Sequence, residues 1–364
     1  MASRAAKGTT GGFSFDFLSS DDRAPFPESN HTSHSTELCQ DTDSERRPLV
    51  WIKNVTELLL DRSQEEIVFD EIPWPSNDKS DDDDTVANEV LHTLKCLAPV
   101  RRVDHHSSSF VDQRETTGIN LGFESQIDTW QNTDIEPGVY EGGMKVWECS
   151  IDLVRYLATQ EIRLDPNQFA IELGCGHGLP ACYLLRESLR ASRRADFNDD
   201  EAFKIIFTDY NDYVLKDVTI SNMFINIVQQ VSNETIKASD ADLKRVGESV
   251  LLGAGDWMNL SRQLTNADAG DLPLPKDGHF DLILAAETLY SEITARETAQ
   301  WFSRHLKPNS GVGLVASKRY YFGVGGGVDT FRMTAQSLDL LVETVKIYDN
   351  GSSNIRELLR VQKV

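Results

Sequence analysis

A short apolar strand followed at once by three spaced glycines constrains the fold of this chain most. The apolar run 169–173 leads directly into Gly174-Cys175-Gly176-His177-Gly178, and a helical stretch follows from about residue 179 to 189. Glycines in this arrangement allow a tight turn, and they let a ligand approach the main chain at the start of a helix. The spacing G-x-G-x-G differs by one position from the dinucleotide fingerprint G-x-G-x-x-G. The segment predicts a ligand-binding strand–loop–helix unit; the alternative is a tight turn without a ligand.

Further apolar runs repeat this strand–helix alternation along residues 137–364. Short, fully apolar strands between helices predict a parallel sheet that is covered on both faces. The last two runs are separated by Asn350-Gly351, which is typical of an antiparallel hairpin. The sequence thus predicts an α/β, Rossmann-like sheet of seven strands, mostly parallel, with a terminal antiparallel hairpin. The predicted strands are 169–173, 205–208, 249–252, 280–285, 312–316, 342–348 and 355–361.

A carboxylate ends the second predicted strand. Asp209, followed by Tyr210, lies 31 residues after Gly178. In nucleotide-binding α/β folds a carboxylate at this place accepts hydrogen bonds from ribose hydroxyls. We therefore predict a ribose-binding role for Asp209, and the alternative is the N-cap of the helix that follows.

Two more motifs follow predicted strands, at the edge of the sheet where open α/β folds bind their ligands. Gly255-Asp256-Trp257 follows the third strand. Glu287-Thr288-Leu289-Tyr290 follows the fourth, and residues three apart can share one face of a helical turn. A Trp after a strand is more often part of the core, so the motif at 255–257 depends on the fold for its interpretation.

With its glycine loop, the chain resembles class I S-adenosylmethionine (SAM)-dependent methyltransferases, and two segments narrow this resemblance. They are residues 135–149, which include Gly142-Gly143 and Trp147, and residues 317–327, which begin Ser317-Lys318. Together with the Gly-Asp-Trp and Glu-Thr-Leu-Tyr motifs, they resemble the eukaryotic protein-histidine N-methyltransferases of the seven-β-strand class. The resemblance covers residues 135 to about 362.

This resemblance implies a cofactor, a reaction and a set of site residues. The implied cofactor is S-adenosyl-L-methionine, and the implied reaction methylates the tau nitrogen of a histidine in a large-subunit ribosomal protein. Such a mark would link the protein to ribosome assembly and translation, in cytoplasm and nucleus. The implied catalytic residues are Glu287 and Tyr290, and the loop 318–327 is expected beside the acceptor pocket. The implied cofactor-binding residues are Trp147, Glu172, Gly174, Cys175, Gly176, Asp209, Tyr210, Asp256 and Trp257.

The chemistry of histidine methylation asks little of a catalytic base. A neutral imidazole is already nucleophilic near pH 7, because its ordinary pKa is about 6.5, whereas lysine, with a pKa of about 10.4, must first lose a proton. The enzyme mainly has to align the nucleophile with the methyl group. We therefore expect a hydrogen-bond acceptor that fixes the imidazole tautomer, and Glu287 or Tyr290 are the candidates. The acceptor histidine is expected between Trp147, Tyr290 and the loop 318–327.

Charge and composition divide the chain in two. The net charge is −22, and residues 1–136 hold 27 acidic against 12 basic side chains. We predict an acidic, largely disordered region over residues 1–134, with a helix over 85–97, and a methyltransferase domain over residues 135–364. The charge argues against nonspecific nucleic-acid binding, and the apolar runs are too short for a membrane span. The five cysteines are scattered without a C-x-x-C pair, so no metal site is predicted.

The sequence therefore favours a monomeric, soluble histidine methyltransferase whose partner is a basic ribosomal protein. Its acidic N-terminal region is expected to steer that substrate. Two alternatives stay open. One is a protein-lysine methyltransferase of the same fold, and the other is a cofactor-binding assembly factor without turnover.

Overall fold

The computed structural model describes most of the predicted methyltransferase domain and several shorter segments before it. The described residues are 46–52, 55–62, 69–71, 95–97, 135, 139, 141–194, 203–227, 240–265, 272–321, 323, 325–349 and 355–364. The predictions made for residues 1–45 lie outside this part of the chain. None of the described helices is long and apolar enough to cross a lipid bilayer.

The described elements alternate between strands and helices, as predicted. The strands are β1 (Val50–Ile52), β2 (Phe69–Glu71), β3 (Lys95–Leu97), β4 (Phe169–Leu173), β5 (Lys204–Asp209), β6 (Val250–Ala254), β7 (Leu282–Ala286), β8 (Val312–Lys318), β9 (Leu340–Tyr348) and β10 (Arg356–Lys363). The helices are α1 (Val55–Arg62), α2 (Glu148–Thr159), α3 (Leu179–Arg194), α4 (Ile220–Ile227), α5 (Asp240–Ser249), α6 (Trp257–Thr265), α7 (Glu292–His305) and α8 (Val328–Ser337). A π-helical stretch, Val214–Thr219, runs directly into α4.

The main sheet has the order β1-β6-β5-β4-β7-β8-β10-β9. Strands β6, β5, β4, β7 and β8 are parallel, whereas β10 and β9 form the antiparallel hairpin at one edge. This confirms the predicted Rossmann-like sheet with its terminal hairpin. The strand count is corrected from seven to eight, because Val50–Ile52 adds antiparallel to β6. Three residues are too few for a periodic pattern, so the sequence carried no signal for β1.

The strand order reverses at β4, which has β5 on one side and β7 on the other. A crevice forms outside the carboxyl ends of the strands at such a reversal, and ligands bind there. Consecutive residues of β4, β5 and β7 are buried, so both faces of the sheet are covered. The covered core holds the loops after these strands in fixed positions.

A short N-terminal strap, residues 47–52, packs along the β6 edge. Its Trp51 indole lies over Gly253, where an added Cβ would come within 3.2 Å of the ring. The same indole donates a hydrogen bond to Gln263 Oε1 on α6 at 2.9 Å. Helix α1 follows, with Leu59 fully buried, and contacts α4 and α5. Arg47–Val364 form one compact unit. The predicted division at residues 134 and 135 stays a prediction, although the strap packs against the sheet.

One local prediction was wrong at its end. Residues 95–97, predicted as the last turn of a helix over 85–97, form β3 and pair antiparallel with β2. The pairing with Phe69–Glu71 is a long-range contact, and it overrides the local helical spacing.

Candidate active site

A cavity lies at the carboxyl ends of β4, β5, β6 and β7, and it brings together most of the predicted site residues. Glu172 does not line it. The predicted residues on its wall are Trp147, Gly174, Cys175, Gly176, Asp209, Tyr210, Asp256, Trp257, Glu287 and Tyr290.

The glycine loop needs glycine for its backbone geometry. Gly174, Gly176 and Gly178 have φ of +61°, +51° and +65°, in the left-handed region that L side chains rarely adopt. A Cβ on Gly176 would lie 3.2 Å from the carbonyl oxygen of Gly143, which crosses the loop closely. The loop therefore presents bare main chain to the cavity at the start of α3, as the spacing predicted.

Glu172 lies beneath the glycine loop. Its side chain is 1% exposed, and Oε2 accepts a hydrogen bond of 2.9 Å from the amide of Ala181, in the first turn of α3. Burial raises the pKa of this carboxyl group to about 8, against an ordinary value of 4.5. Glu172 is thus a mostly protonated residue at neutral pH that holds loop and helix together. Glu172 is not on the cavity wall, and its predicted contact with the cofactor stays a prediction.

Asp209 faces the cavity from the end of β5. It is 4% exposed, and its two carboxylate oxygens accept hydrogen bonds of 3.0 Å from the amides of Gly176 and Asn211. Burial raises its pKa to about 6, and the two amide hydrogen bonds limit that rise. The ribose-binding role of Asp209 stays a prediction, and its hydrogen bonds lie in the turn before the helix and not at the N-cap. Asp209 fixes the turn after β5, and it places a buried carboxylate on the cavity wall.

The segment 141–147 covers the end of β5. Asn211 Nδ2 donates to the carbonyl of Val139 at 2.8 Å, and Asn211 Oδ1 accepts from the amide of Glu141 at 3.4 Å. A Cβ on Gly143 would lie 2.8 Å from Val214 and 3.2 Å from Asp209 Oδ2. Only glycine allows the main chain to pass this close to the carboxylate.

His177 anchors the glycine loop rather than a metal. It is 8% exposed, with Nε2 at 3.1 Å from the carbonyl of Met144 and Nδ1 at 3.0 Å from Asn222 Nδ2. Since an amide nitrogen donates, Nδ1 accepts and the proton lies on Nε2, which donates to Met144. Burial lowers the pKa of His177, so the ring is neutral. Among the residues that the structure describes, no group of three His, Cys, Asp or Glu side chains is arranged to hold a metal ion.

The motif after β6 forms a second wall of the cavity. Asp256 Oδ1 accepts hydrogen bonds from the amides of Met258 at 2.8 Å and Asn259 at 3.3 Å, so this oxygen caps the start of α6. The Trp257 ring lies against Gly174, where an added Cβ would be 3.0 Å from it. Trp257 thus presents an aromatic surface beside the glycine loop, and Asp256 sets the direction of α6.

The strap reaches this second wall. Its Arg47 carbonyl accepts from the Asp256 amide at 3.3 Å and from Asn259 Nδ2 at 2.8 Å. The Arg47 guanidinium lies 5.3 Å from the centroid of the Tyr210 ring and forms an ion pair of 3.4 Å with Asp212. Arg47 therefore joins the turns after β5 and β6 from outside the cavity. No local pattern predicts this contact, because the residues are far apart along the chain.

Glu287 lines the cavity on the β7 side, across β4 from Asp209. It has φ +57°, unusual for a side chain with a Cβ, and its amide donates to the carbonyl of Ala316 at 2.9 Å. Its Oε2 accepts a short hydrogen bond from the Tyr321 hydroxyl. Its Oε1 is buried and makes no hydrogen bond of ordinary geometry to the described residues; Lys318 Nζ lies 3.6 Å away, and the buried Cys149 thiol also interacts with this carboxylate. A strained backbone and an open acceptor atom on one residue are typical of a functional site.

Trp147 and Tyr290 also line the cavity. The Trp147 indole donates to the carbonyl of Gly142 at 3.0 Å, and α2 behind it is fixed to β10 by the buried Asp152–Arg356 ion pair at 2.5 Å. Tyr290 donates a short hydrogen bond to Glu141. Burial and the Glu141 charge raise the pKa of Tyr290, so its hydroxyl stays a donor.

Sequence reasoning missed Glu141 and Tyr321 as site residues. Both lie in segments that the resemblance singled out, 135–149 and 317–327, and this was the available signal. Their partners are Tyr290 and Glu287, which are 149 and 34 residues away along the chain. Only the fold shows that each predicted catalytic residue is held by one of these side chains.

Two proteins with the name histidine protein methyltransferase 1 are similar to this chain in sequence. A Histidine protein methyltransferase 1 homolog from Dictyostelium discoideum is 35% identical over 231 residues, covering 63% of this chain and 60% of that protein. Histidine protein methyltransferase 1 from Schizosaccharomyces pombe is 27% identical over 296 residues, covering 74% and 82%. The resemblance to protein-histidine methyltransferases is confirmed. The chain spans about 60% of the length of the Dictyostelium histidine methyltransferase homolog, so its likeness does not by itself transfer an activity.

No family model matches the chain. A TehB-like SAM-dependent methyltransferase from Corynebacterium glutamicum matches with a TM-score of 0.34 and 14% identity, over 66% of this chain and 97% of that chain. The fold of this chain follows from its own strand order.

Proposed function

We propose that this chain is a SAM-dependent protein-histidine N-methyltransferase. The observation that carries the proposal is one cavity with two chemically different ends. A bare glycine loop and the Asp209 carboxylate form one end, and Glu287, whose buried Oε1 has Lys318 as its ion-pair partner, lies at the other, across β4 from Asp209. Sequence similarity to histidine protein methyltransferases supports the same function.

The residues present fit a nucleoside-containing sulfonium cofactor. The left-handed glycines leave main chain where a Cβ would otherwise stand, and Asp209 offers a carboxylate that can accept from ribose hydroxyls. Trp257 offers an aromatic surface for an adenine ring. SAM, when bound, supplies an electrophilic methyl group. Gly174, Gly176, Asp209 and Trp257 would hold it, and Glu172 would keep the loop in place from below.

The opposite end fits an imidazole acceptor. A neutral imidazole has an N–H on one ring nitrogen and a lone pair on the other. An acceptor that accepts a hydrogen bond from the pi-nitrogen N–H therefore leaves the lone pair on the tau nitrogen, which is the nucleophile. Glu287 Oε1 is such an acceptor, and Tyr321 fixes the carboxylate by donating to its other oxygen. Burial and the Glu287 charge raise the pKa of Tyr321, which keeps that donor proton in place. We assign Glu287 the orienting role and Tyr290, tied to Glu141, a supporting one.

We further propose that the acceptor is a basic ribosomal protein, modified in cytoplasm or nucleus by a monomeric enzyme. The support is electrostatic. The chain carries a net charge of −22, and 58 acidic side chains oppose 36 basic ones. Such a surface attracts a basic protein and repels RNA, so it favours the unassembled ribosomal protein over the ribosome. A role in ribosome assembly and translation follows from that substrate.

The experiment that tests the function uses tritiated SAM, the full chain, and an extract from cells that lack the protein. The labelled residue is identified by mass spectrometry. Methylhistidine supports the proposal, methyllysine supports a lysine methyltransferase, and cofactor binding without any labelled product supports a non-catalytic assembly factor.

Two variants test the residue roles. We expect Glu287→Gln to slow transfer by roughly 100-fold, because oriented proton-accepting groups contribute on this scale. Tyr290→Phe should have a smaller effect, and Glu343→Gln, which changes an exposed carboxylate on β9, serves as control. Calorimetry with SAM should give the wild-type affinity for both Glu variants. Full activity of Glu287→Gln and Tyr290→Phe would remove both residues from the mechanism.

A further inference from the structure

The ammonium group of Lys318 lies in surroundings that proteins ordinarily build for a cationic ligand. Its Nζ is 3.6 Å from Glu287 Oε1, 5.0 Å from the centroid of the Trp147 ring and 5.7 Å from that of Tyr321. One carboxylate and two aromatic faces within about 6 Å are the usual elements of ammonium recognition. The Lys318 side chain is only 16% exposed, so the chain's own cation fills this position.

The three partners are held in place by contacts that do not involve the Lys318 side chain. The Tyr321 hydroxyl bonds to Glu287 and lies 3.1 Å from Ser317 Oγ. The Trp147 indole bonds to the carbonyl of Gly142, and Glu287 is fixed through its amide to β8. Lys318 itself ends β8 and pairs with Arg356 of β10, which fixes its backbone. The subsite is therefore a built feature that the Lys318 side chain enters.

A filled cation subsite changes which acceptors the site admits. A substrate lysine arrives as an ammonium ion and needs a carboxylate or an aromatic face to hold it. Here Lys318 already contacts the Glu287 carboxylate and the Trp147 ring. A second ammonium group, Lys145 Nζ, lies 4.5 Å from the centroid of the Trp147 ring. An incoming ammonium would meet like charges. A neutral imidazole meets no such repulsion, and it can still donate its N–H to Glu287 Oε1.

We infer that Lys318 is a specificity-determining residue that occupies the cation subsite and restricts the acceptor to a neutral nucleophile. The inference rests on the proposed function, because it concerns the choice between histidine and lysine at the same Glu287. It also explains how one fold can exclude the lysine reaction without a change in the cofactor end.

The first test compares Lys318→Met with the charge-conserving Lys318→Arg. Two substrates are compared. The first is the polypeptide that the wild-type protein labels, and the second is the same polypeptide with the labelled histidine replaced by lysine. If the labelled residue is a lysine, the second substrate carries histidine there instead. We expect Lys318→Met to raise the ratio of lysine to histidine methylation by roughly tenfold, and Lys318→Arg to leave it near the wild-type value. An unchanged ratio in a folded Lys318→Met protein with normal SAM affinity would overturn the inference.

A second test does not depend on turnover. n-Butylammonium, the end of a lysine side chain, is titrated onto the wild-type protein, Lys318→Ala and Lys318→Arg by saturation-transfer NMR. We expect binding to Lys318→Ala alone, lost again when Trp147→Ala is added. No binding to Lys318→Ala would overturn the cation subsite even if histidine methylation is observed. Binding there, together with a wild-type protein that labels only lysine or nothing, would refute the proposed histidine activity and leave the cation subsite standing.

Discussion

Replacing Glu172 with glutamine should stabilise the protein at neutral pH. The carboxyl group is 1% exposed beneath the glycine loop, and burial raises its pKa from 4.5 to about 8. The unfolded chain holds an ionised Glu172 at pH 7, whereas the folded protein holds it mostly protonated. Folding at pH 7 must therefore take up a proton, and this uptake costs free energy that a neutral glutamine side chain would not require.

The size of the effect follows from the two pKa values. At 1.36 kcal/mol per pH unit, the interval from 4.5 to 7 corresponds to about 3 kcal/mol of unfolding free energy. Because the folded-state pKa is the higher one, the Glu172 contribution is fully present below pH 4.5. It is lost progressively as the pH rises to about 8. Glutamine keeps an oxygen acceptor for the Ala181 amide, so the variant retains the helix contact.

The assay is urea unfolding of wild-type protein and Glu172→Gln at pH 5 and pH 8, followed by tryptophan fluorescence. The variant should gain little at pH 5 and roughly 3 to 5 kcal/mol at pH 8. SAM affinity should be unchanged, since Glu172 does not line the cavity. A variant that is less stable at both pH values, or one that loses SAM binding, would refute the placement of Glu172 as a protonated support.

Three other predictions concern the cofactor end. Gly176→Ala should weaken SAM binding and lower the unfolding free energy by roughly 1–2 kcal/mol. Its control is Gly278→Ala, where φ is +69° and an added Cβ also lies 3.2 Å from a carbonyl oxygen; this variant should lose a similar unfolding free energy and keep the wild-type SAM affinity. Calorimetry measures the affinities, and urea unfolding measures the stabilities. SAM affinity should fall as the pH drops below about 6, because Asp209 then gains a proton, and Asp209→Asn should show weak binding without this pH dependence. Arg47→Met should weaken SAM binding several-fold through Tyr210 with little change in melting temperature; equal affinities would contradict the role given to the strap.

The central part of the fold could be predicted because it is encoded locally. Strands β4 to β8 are short apolar runs between helices, and the sequence Asn350-Gly351 stands between the two strands of the hairpin. The tight turn of the glycine loop could also be predicted, since residues with left-handed backbone angles are usually glycine. Features of this kind need no knowledge of distant parts of the chain.

The rest of the site depends on contacts between distant segments. The support of Glu287 by Tyr321 and the position of Lys318 exist only once β7 and β8 are side by side. The pairing of Tyr290 with Glu141 needs the segment 141–147 to lie over the carboxyl ends of the strands. The burial of Glu172 could not be read from its neighbours, because a carboxylate before a glycine loop suggested a ligand contact. Single-residue patterns do not contain this information.

The strap has a practical consequence for dissecting the acidic N-terminal region. The composition shift invites a cut at residue 134, but that cut removes β1 and leaves β6 with unpaired amides and carbonyls along one side. An open strand edge of this kind is a template for aggregation. Precipitation of such a fragment would therefore report an exposed edge and not the loss of electrostatic attraction. Removing residues 1–46 alone keeps the edge covered by Val50–Ile52, and the salt dependence of that shorter protein reports the effect of the 8 acidic and 4 basic side chains removed.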